Sequence, residues 1–206
     1  MYRYLKILSF GICTLCFMGC PQPSYFEGEA VGENVYQWIA GFDGFEQGDS
    51  IYFSNGGSIL VKNRVESTPN ALSECRIEDI IRQCQYEILT LQFISPYDSI
   101  ISYLTIYLFP RNRLVVNYSI ISALTPEILR LDADKGILEV PQEDVFDVGY
   151  ITDYSYLSGT NEALVSRVVD IQAIIGALLP NDFTLVKGEG IVRWLDYSGN
   201  VFELIQ

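Results

Sequence analysis

Three long apolar runs occupy the middle of the chain, at residues 85–95, 99–109 and 112–122. Each run is rich in Ile, Leu, Val, Tyr and Thr, the residues that favour extended strands. Breaks at 96–98 and 110–111, each containing a proline, separate the runs. Strand-length runs with short breaks between them predict an antiparallel meander of long strands.

The third run alternates, and the alternation assigns its two faces. One set of positions is apolar and the other is mostly polar: Leu114, Val116, Tyr118 and Ile120 against Arg113, Asn117 and Ser119. We therefore expect one buried face and one wet face, so that Val116→Asp unfolds the domain and Asn117→Asp is nearly silent. The second run is apolar on both faces, which predicts that both are covered.

Shorter elements flank this meander. Strands are predicted at residues 34–40, 51–54 and 58–62, with a hairpin turn at Asn55-Gly56-Gly57. Near the C-terminus, residues 183–186, 191–196 and 201–205 predict strands that end in a β-hairpin with its turn at 197–200.

Residues 160–179 are open to two interpretations. Apolar positions including Leu164, Val168 and Ile175 form a helical stripe that stops at Pro180, which favours a helix. The β-branched content would also suit a strand. The fold is thus predicted to be mainly β, an antiparallel meander arranged as a sandwich or half-barrel, with at most one helix at 160–179.

The N-terminus has the pattern of an export signal. Arg3 and Lys6 precede an uncharged stretch at residues 7–19, which is too short to span a bilayer permanently. The stretch ends in Phe17-Met18-Gly19-Cys20, which resembles the lipobox of bacterial lipoproteins and departs from it at Phe17 and Met18. The resemblance implies cleavage before Cys20 and lipidation of that cysteine. An ordinary signal peptide or an uncleaved anchor is the alternative.

The predicted organisation follows from this cleavage site. Residues 1–19 are a signal peptide, residues 20–30 a lipid-anchored linker and residues 31–206 a single β-rich domain. Two or more acyl chains give stable anchoring. Pro21 stands where an Asp would favour the inner membrane, so the resemblance favours the outer membrane.

The last part of the chain carries a second resemblance. Residues 181–205 contain a strand, then Lys187-Gly188-Glu189-Gly190, a hydrophobic residue and a short hairpin. This order is similar to the closing segment of small β-rich lipoproteins of the Bacteroidetes type. It implies an address and a fold, and it brings no catalytic residues. Gly188 and Gly190 lack the third glycine of a nucleotide-binding loop and are interpreted as a β-bulge or strand crossing.

Composition excludes several classes of function. The formal net charge of −13 makes nucleic acid an unfavourable partner. The chain has no histidine, which removes His-dependent nucleophile systems and imidazole metal sites. No cofactor is predicted.

Cys75 and Cys84 are the cysteines left in an exported domain, and we expect them to form a disulfide, with two reduced core thiols as the alternative.

Two groups of carboxylates could carry chemistry. Asp132, Asp134 and Glu143 have part of the spacing of a calcium loop, but a third oxygen ligand is missing and Lys135 interrupts the pattern. An acidic stretch could supply paired carboxylates for glycoside hydrolysis. Its members are Glu139, Glu143, Asp144, Asp147 and Asp153.

Two short motifs, Asp49-Ser50-Ile51 and Asp98-Ser99-Ile100, resemble O-glycosylation acceptors of exported Bacteroidetes proteins.

The leading functional hypothesis is a non-catalytic envelope lipoprotein. It would be a binding or assembly module held to the membrane by its lipid, with an apolar ligand or an envelope protein as partner. The alternative is a carboxylate-based hydrolase of the envelope.

Overall fold

The computed structural model describes residues 30–66, 73–77, 80–98, 101–119, 127–157, 159–170 and 182–205. A short helix α1 spans Glu33–Tyr36, and 3-10 turns lie at Ala40–Phe42 and Ser54–Gly56. The strands of the first half are β1 Ser50–Tyr52, β2 Ser58–Glu66, β3 Ser73–Ile77, β4 Ile80–Cys84, β5 Glu87–Ile94, β6 Ser102–Phe109 and β7 Arg113–Ser119. Those of the second half are β8 Glu127–Asp132, β9 Ile137–Glu139, β10 Phe146–Tyr156, β11 Gly159–Val168, β12 Asp182–Val186, β13 Gly190–Leu195 and β14 Val201–Glu203.

The strands form two main antiparallel sheets. The large sheet has the order β1-β2-β5-β6-β7-β8-β9, and the small sheet runs β10-β11-β12-β13-β14. Strands β3 and β4 pair as a separate two-stranded ribbon. The predicted meander is confirmed as β5-β6-β7, in which Leu91 is opposite Leu104 and Leu104 is opposite Tyr118. The mainly β, antiparallel fold class is therefore confirmed.

The core lies between the two sheets. On the inner face of the large sheet, Leu114 and Val116 are fully buried and Tyr118 is 1% exposed, as the alternation of the third run predicts. Trp194 of the small sheet packs against Phe93 of this face, with ring centroids 5.3 Å apart, and stacks on Phe202 of its own sheet, with centroids 4.0 Å apart. The terminal hairpin β13-β14 is thereby fixed over the inner face of the meander.

The predicted strand at residues 34–40 is wrong, because this segment forms α1 and the following 3-10 turn. Its buried residues are Val35, Trp38, Ile39 and Phe42. They follow the i, i+3, i+4, i+7 spacing of a helical face rather than the alternation of a strand. The segment therefore presents one continuous apolar stripe to the core.

The helix favoured at residues 160–179 is wrong where the structure describes it, because Gly159–Val168 is strand β11; residues 171–179 lie outside the described ranges. Strand β11 pairs with β10 on one side and β12 on the other. Leu164 packs into the main core, whereas Ala163 packs on the opposite face with Val186 and Val192. When both faces of a strand are covered, apolar and polar residues do not alternate cleanly along it. Its apolar positions can then also match the spacing of a helical face.

The outer face of the large sheet is only partly covered. The outward side chains of β6 are half-buried, so the predicted cover on both faces of the second run is incomplete; they are Tyr103, Tyr107 and Phe109.

Asn117 on β7 is also half-buried, and its Oδ1 is buried without a hydrogen-bond partner in the described part of the chain. The buried Oδ1 argues against the expectation that Asn117→Asp is nearly silent, because a carboxylate oxygen would occupy that unpaired position; the effect of the substitution stays a prediction.

An ion pair closes one end of the inner face. Glu87 has a side chain that is only 5% exposed, and its Oε1 accepts a hydrogen bond from Arg64 Nε at 3.0 Å. The same guanidinium donates to the carbonyl oxygen of Phe42 at 2.9 Å and pairs with Asp43 at 3.2 Å. Arg64 therefore joins β2, β5 and the helical segment at a single point.

Candidate functional site

The β6–β7 turn brings an arginine to one corner of the large sheet. Arg111 and Asn112 both adopt left-handed backbone conformations, with φ of 58° and 52°. Tight hairpin turns often require positive φ, which Asn tolerates and Arg adopts rarely. Strained backbone of this kind concentrates at functional sites, so this corner of the sheet is a candidate site.

The β8–β9 turn lies beside it and is organised by Asp132. Its Oδ1 accepts a hydrogen bond from the Lys135 backbone N–H at 3.1 Å, and its Oδ2 pairs with Lys135 Nζ at 3.0 Å. Gly136 has φ of 64° and donates its N–H to the Asp132 carbonyl oxygen at 2.8 Å. The turn therefore holds the Lys135 ammonium close to the strand ends.

Two asparagines lock the turns to the N-terminal segment. Asn112 Nδ2 donates to Asp134 Oδ1 at 2.7 Å, and Asn34 Nδ2 donates to the same oxygen at 3.2 Å. Asn112 Oδ1 in turn accepts the Val35 N–H at 3.2 Å. A Cβ at Gly32 would lie 2.0 Å from Asn112 Oδ1, so glycine is required there. Sequence analysis missed Asn34 and Asn112, since their partners are distant in the chain.

A cleft of about 530 Å³ lies between these turns. Four cations and three carboxylates line it: Arg111, Arg113, Arg130, Lys135, Asp132, Asp134 and Glu139. The local balance is positive, whereas the whole chain carries a net charge of −13. The cleft, which we call the cationic cleft, is therefore an electrostatic exception on an acidic protein.

Most charges in the cationic cleft are paired. Arg130 forms a two-pronged ion pair with Glu127, in which Nη2 lies 2.9 Å from Oε2, and its Nη1 lies 3.7 Å from Glu139 Oε2. Lys135 is paired with Asp132. Arg113 is the exception, because its side chain makes no hydrogen bond or ion pair within the described ranges.

The hydrogen bonds keep these groups charged. Hydrogen bonding to Glu127 outweighs the effect of burial and raises the pKa of Arg130. Burial by itself would raise the pKa of Asp132, but hydrogen bonds from the Lys135 side chain and backbone dominate and lower it. Both groups therefore stay ionised at neutral pH, and the field of the cleft is fixed.

An apolar strip on the outer face runs up to the cationic cleft. It consists of four residues that lie opposite one another on β2, β5, β6 and β7: Val65, Ile88, Tyr107 and Val115. The next residue in this row is Arg130, opposite Val115 on β8. In the neighbouring row Phe109 is opposite Arg113, and its ring stacks on Tyr107 with centroids 6.1 Å apart.

The candidate calcium ligands do not form one group. Asp132 and Asp134 line the cationic cleft, where protein donors already engage them. Glu143 is exposed in the turn before β10. Among the described residues no group of three or more Cys, Asp or Glu side chains is placed to hold a metal ion.

The acidic stretch is also dispersed. Glu139 alone of its members lines the cationic cleft, while Glu143, Asp144, Asp147 and Asp153 are exposed on the β9–β10 turn and on β10. A further carboxylate with protein donors around it, Glu162, which sequence analysis missed, lies on the small sheet. There Glu162 accepts hydrogen bonds from Tyr150 Oη at 2.7 Å and from Lys187 Nζ at 3.2 Å. Burial, together with Glu162, raises the pKa of Tyr150 to about 12, so this hydroxyl stays protonated at neutral pH.

A buried carboxylate links the two sheets. Asp196 is 3% exposed and accepts hydrogen bonds from Ser95 Oγ at 2.7 Å, Asn200 N at 2.7 Å and Asn200 Nδ2 at 2.9 Å. Ser95 follows β5 of the large sheet, and Asp196 follows β13 of the small sheet. Burial acts to raise the pKa of Asp196, but these hydrogen bonds outweigh it and hold the pKa below its usual value.

We expect Asp196→Asn to lower the free energy of unfolding at neutral pH by about 1–3 kcal/mol, because an amide N–H₂ would face donors. The wild-type pKa is depressed on folding, so its contribution is present above the unfolded pKa of about 3.9 and is lost as pH falls through the folded value. Urea titrations at about pH 7 and about pH 3 should show a larger acid loss for the wild type. Equal acid loss in both proteins would contradict the assignment.

Of the remaining residues that the sequence predicts to be modified or cross-linked, only some lie within the described ranges. Cys20 lies outside the described residues. Cys75 is opposite Arg82 and Cys84 is opposite Ser73, so the two cysteines are offset by two residues in the β3–β4 ribbon. Their disulfide stays a prediction. Ser50 opens the edge strand β1 and is half-buried, and Ser99 lies outside the described residues.

Comparison of the sequence with protein families, with curated proteins and with solved structures finds no match. In the described part of the chain, no helix is long and apolar enough to cross a membrane.

Proposed function

We propose that this chain is a lipid-anchored, non-catalytic binding module of the cell envelope, and that the cationic cleft is its binding site. One observation carries the choice of site: Arg113 lines a cleft and makes no ion pair within the described ranges, although the chain has 26 acidic residues. A guanidinium left without a carboxylate is available to an anionic ligand.

The geometry of the cationic cleft favours binding over catalysis. Its three carboxylates are each engaged by protein donors: Asp132 by Lys135, Asp134 by two asparagines, and Glu139 by Arg130. General acid or base work needs a group free to exchange a proton with the substrate. Carboxylates engaged by such partners instead shape the charge and orientation of a binding pocket. This supports the binding module over the carboxylate-based hydrolase.

The membrane address rests on the N-terminal sequence. An uncharged stretch ending in Gly19-Cys20 supports lipidation at Cys20, and Pro21 supports the outer membrane over the inner membrane. Acyl chains on Cys20 would hold the domain at the lipid surface permanently. The resemblance of the terminal segment to Bacteroidetes lipoproteins supports the same address.

We expect Cys20→Ser to abolish lipidation and membrane retention of the full chain, because a hydroxyl does not accept the thioether-linked diacylglyceryl group. Cells fed an alkyne-bearing fatty acid should yield labelled wild-type protein in the membrane fraction and no labelled variant. Cys16→Ser, in the same segment, is the matched control and should keep the label. Labelling that survives Cys20→Ser would refute the anchor.

A further inference from the structure

We infer that the ligand of the cationic cleft is an amphiphilic anion, with a carboxylate or phosphate head at Arg113 and a single apolar chain along the apolar strip. This inference rests on the proposed function, since it names the ligand class of that site. Two independent features carry it, the unpaired charge at the cleft and the apolar surface that begins beside it.

The charge selects an anionic head. Arg130 is already paired with Glu127 and Glu139, and Lys135 is already paired with Asp132. Within the described lining, Arg113 is therefore the cation whose N–H donors are available to a ligand. Arg113 is half-buried in strand β7, where partial exclusion of water strengthens a hydrogen-bonded ion pair. Its planar fork fits the two oxygens of a carboxylate or phosphate.

The outer face selects an apolar body. The exposed side of an antiparallel sheet is normally polar, yet this one carries Ile88, Tyr107 and Val115 in one row, all half-buried. Val65 ends the row and is 42% exposed. With strands about 4.8 Å apart, four residues on adjacent strands extend over about 14 Å. An extended acyl chain can lie along a surface of that length.

The two features are joined by register. Arg113 is opposite Phe109, whose ring stacks on Tyr107 in the apolar strip. A head bound at Arg113 therefore places the first part of its chain over these rings. The acidic character of the rest of the chain disfavours an anionic membrane surface as the occupant, so a single amphiphile fits better than a bilayer.

Photocrosslinking of the full lipidated chain in membranes tests the inference. The probe is a clickable fatty acid with a diazirine in its chain, and crosslinked peptides are located by mass spectrometry. We expect labelling on the strands of the apolar strip, β2 and β5–β7, that is competed by decanoate and by decyl phosphate, and not by acetate, inorganic phosphate or decanol. Whichever of decanoate and decyl phosphate competes at the lower concentration identifies the head group as a carboxylate or a phosphate. Each added methylene should strengthen competition by about two- to fourfold.

Matched variants locate the head and the chain. Arg113→Gln should reduce labelling by at least about tenfold, the cost of one charge-assisted pair. Arg167→Gln, an exposed arginine on β11 without a partner in the described ranges, should leave labelling unchanged. Val65→Ser should weaken competition by decanoate and leave competition by hexanoate unchanged, because only the longer chain reaches the end of the strip. Thermal unfolding confirms that each variant is folded.

The outcomes separate the two proposals. If acetate or inorganic phosphate competes as well as decanoate and Arg113→Gln still abolishes labelling, the cleft binds small anions; the amphiphile is then overturned and the binding function stands. If labelling does not depend on Arg113, or falls outside β2 and β5–β7, both the amphiphile and the cationic cleft as binding site are overturned.

Discussion

Val116→Asp is expected to leave the chain unfolded at neutral pH. Val116 is fully buried on the inner face of β7, a strand hydrogen-bonded to neighbours on both sides. Among the described residues the buried core contains no Lys or Arg to pair with a carboxylate there, and the cost should exceed about 4 kcal/mol. That is a large share of the roughly 5–15 kcal/mol that stabilises a typical domain. Circular dichroism and urea titration measure the loss.

Val115→Asp is the matched control, because residue type, substitution and strand are the same. Val115 lies on the outer face, is half-buried, and is opposite Arg130. The new carboxylate keeps contact with water and gains a cation nearby, so we expect a loss of only about 1 kcal/mol. Similar losses of unfolding free energy for the two variants would show that the assignment of the buried and exposed faces of β7 is wrong.

The meander was predictable because its signal is local. Breaks at prolines set the ends of β5, β6 and β7, and the alternation around Val116 set the buried face. The helical segment also had a local signal, the spacing from Val35 to Phe42, but the segment is short and rich in residues that also favour strands. Strand β11 was harder, since cover on both of its faces removes the alternation that identifies a strand.

The cationic cleft could not be predicted from composition or motifs. An acidic chain without histidine offers mainly carboxylates as candidate groups for chemistry, whereas the proposed site is built around Arg113. Arg113 and Arg130 become neighbours only because β7 and β8 pair. The hydrogen bond between Asn34 and Asp134 joins positions 100 residues apart, and no spacing rule anticipates it.

Arg64→Met is expected to lower the free energy of unfolding by about 3 kcal/mol, the cost of breaking a largely buried ion pair by removing one partner. Methionine keeps much of the volume of the side chain and removes the charge. Glu87, with 5% of its side chain exposed, would keep its carboxylate in the core without a cation. The carbonyl oxygen of Phe42 would lose its donor as well. Urea titration at neutral pH measures the change.

The double variant Arg64→Met/Glu87→Met shows whether the stranded carboxylate causes the loss. Replacing both members of a buried pair with apolar residues is often close to neutral, so the double variant should recover most of the stability that Arg64→Met loses. Incomplete recovery would measure the bond to Phe42, at about 1 kcal/mol. A double variant no more stable than Arg64→Met would show that Glu87 does not depend on Arg64. The loss would then come from the other bonds of Arg64, to the carbonyl oxygen of Phe42 and to Asp43.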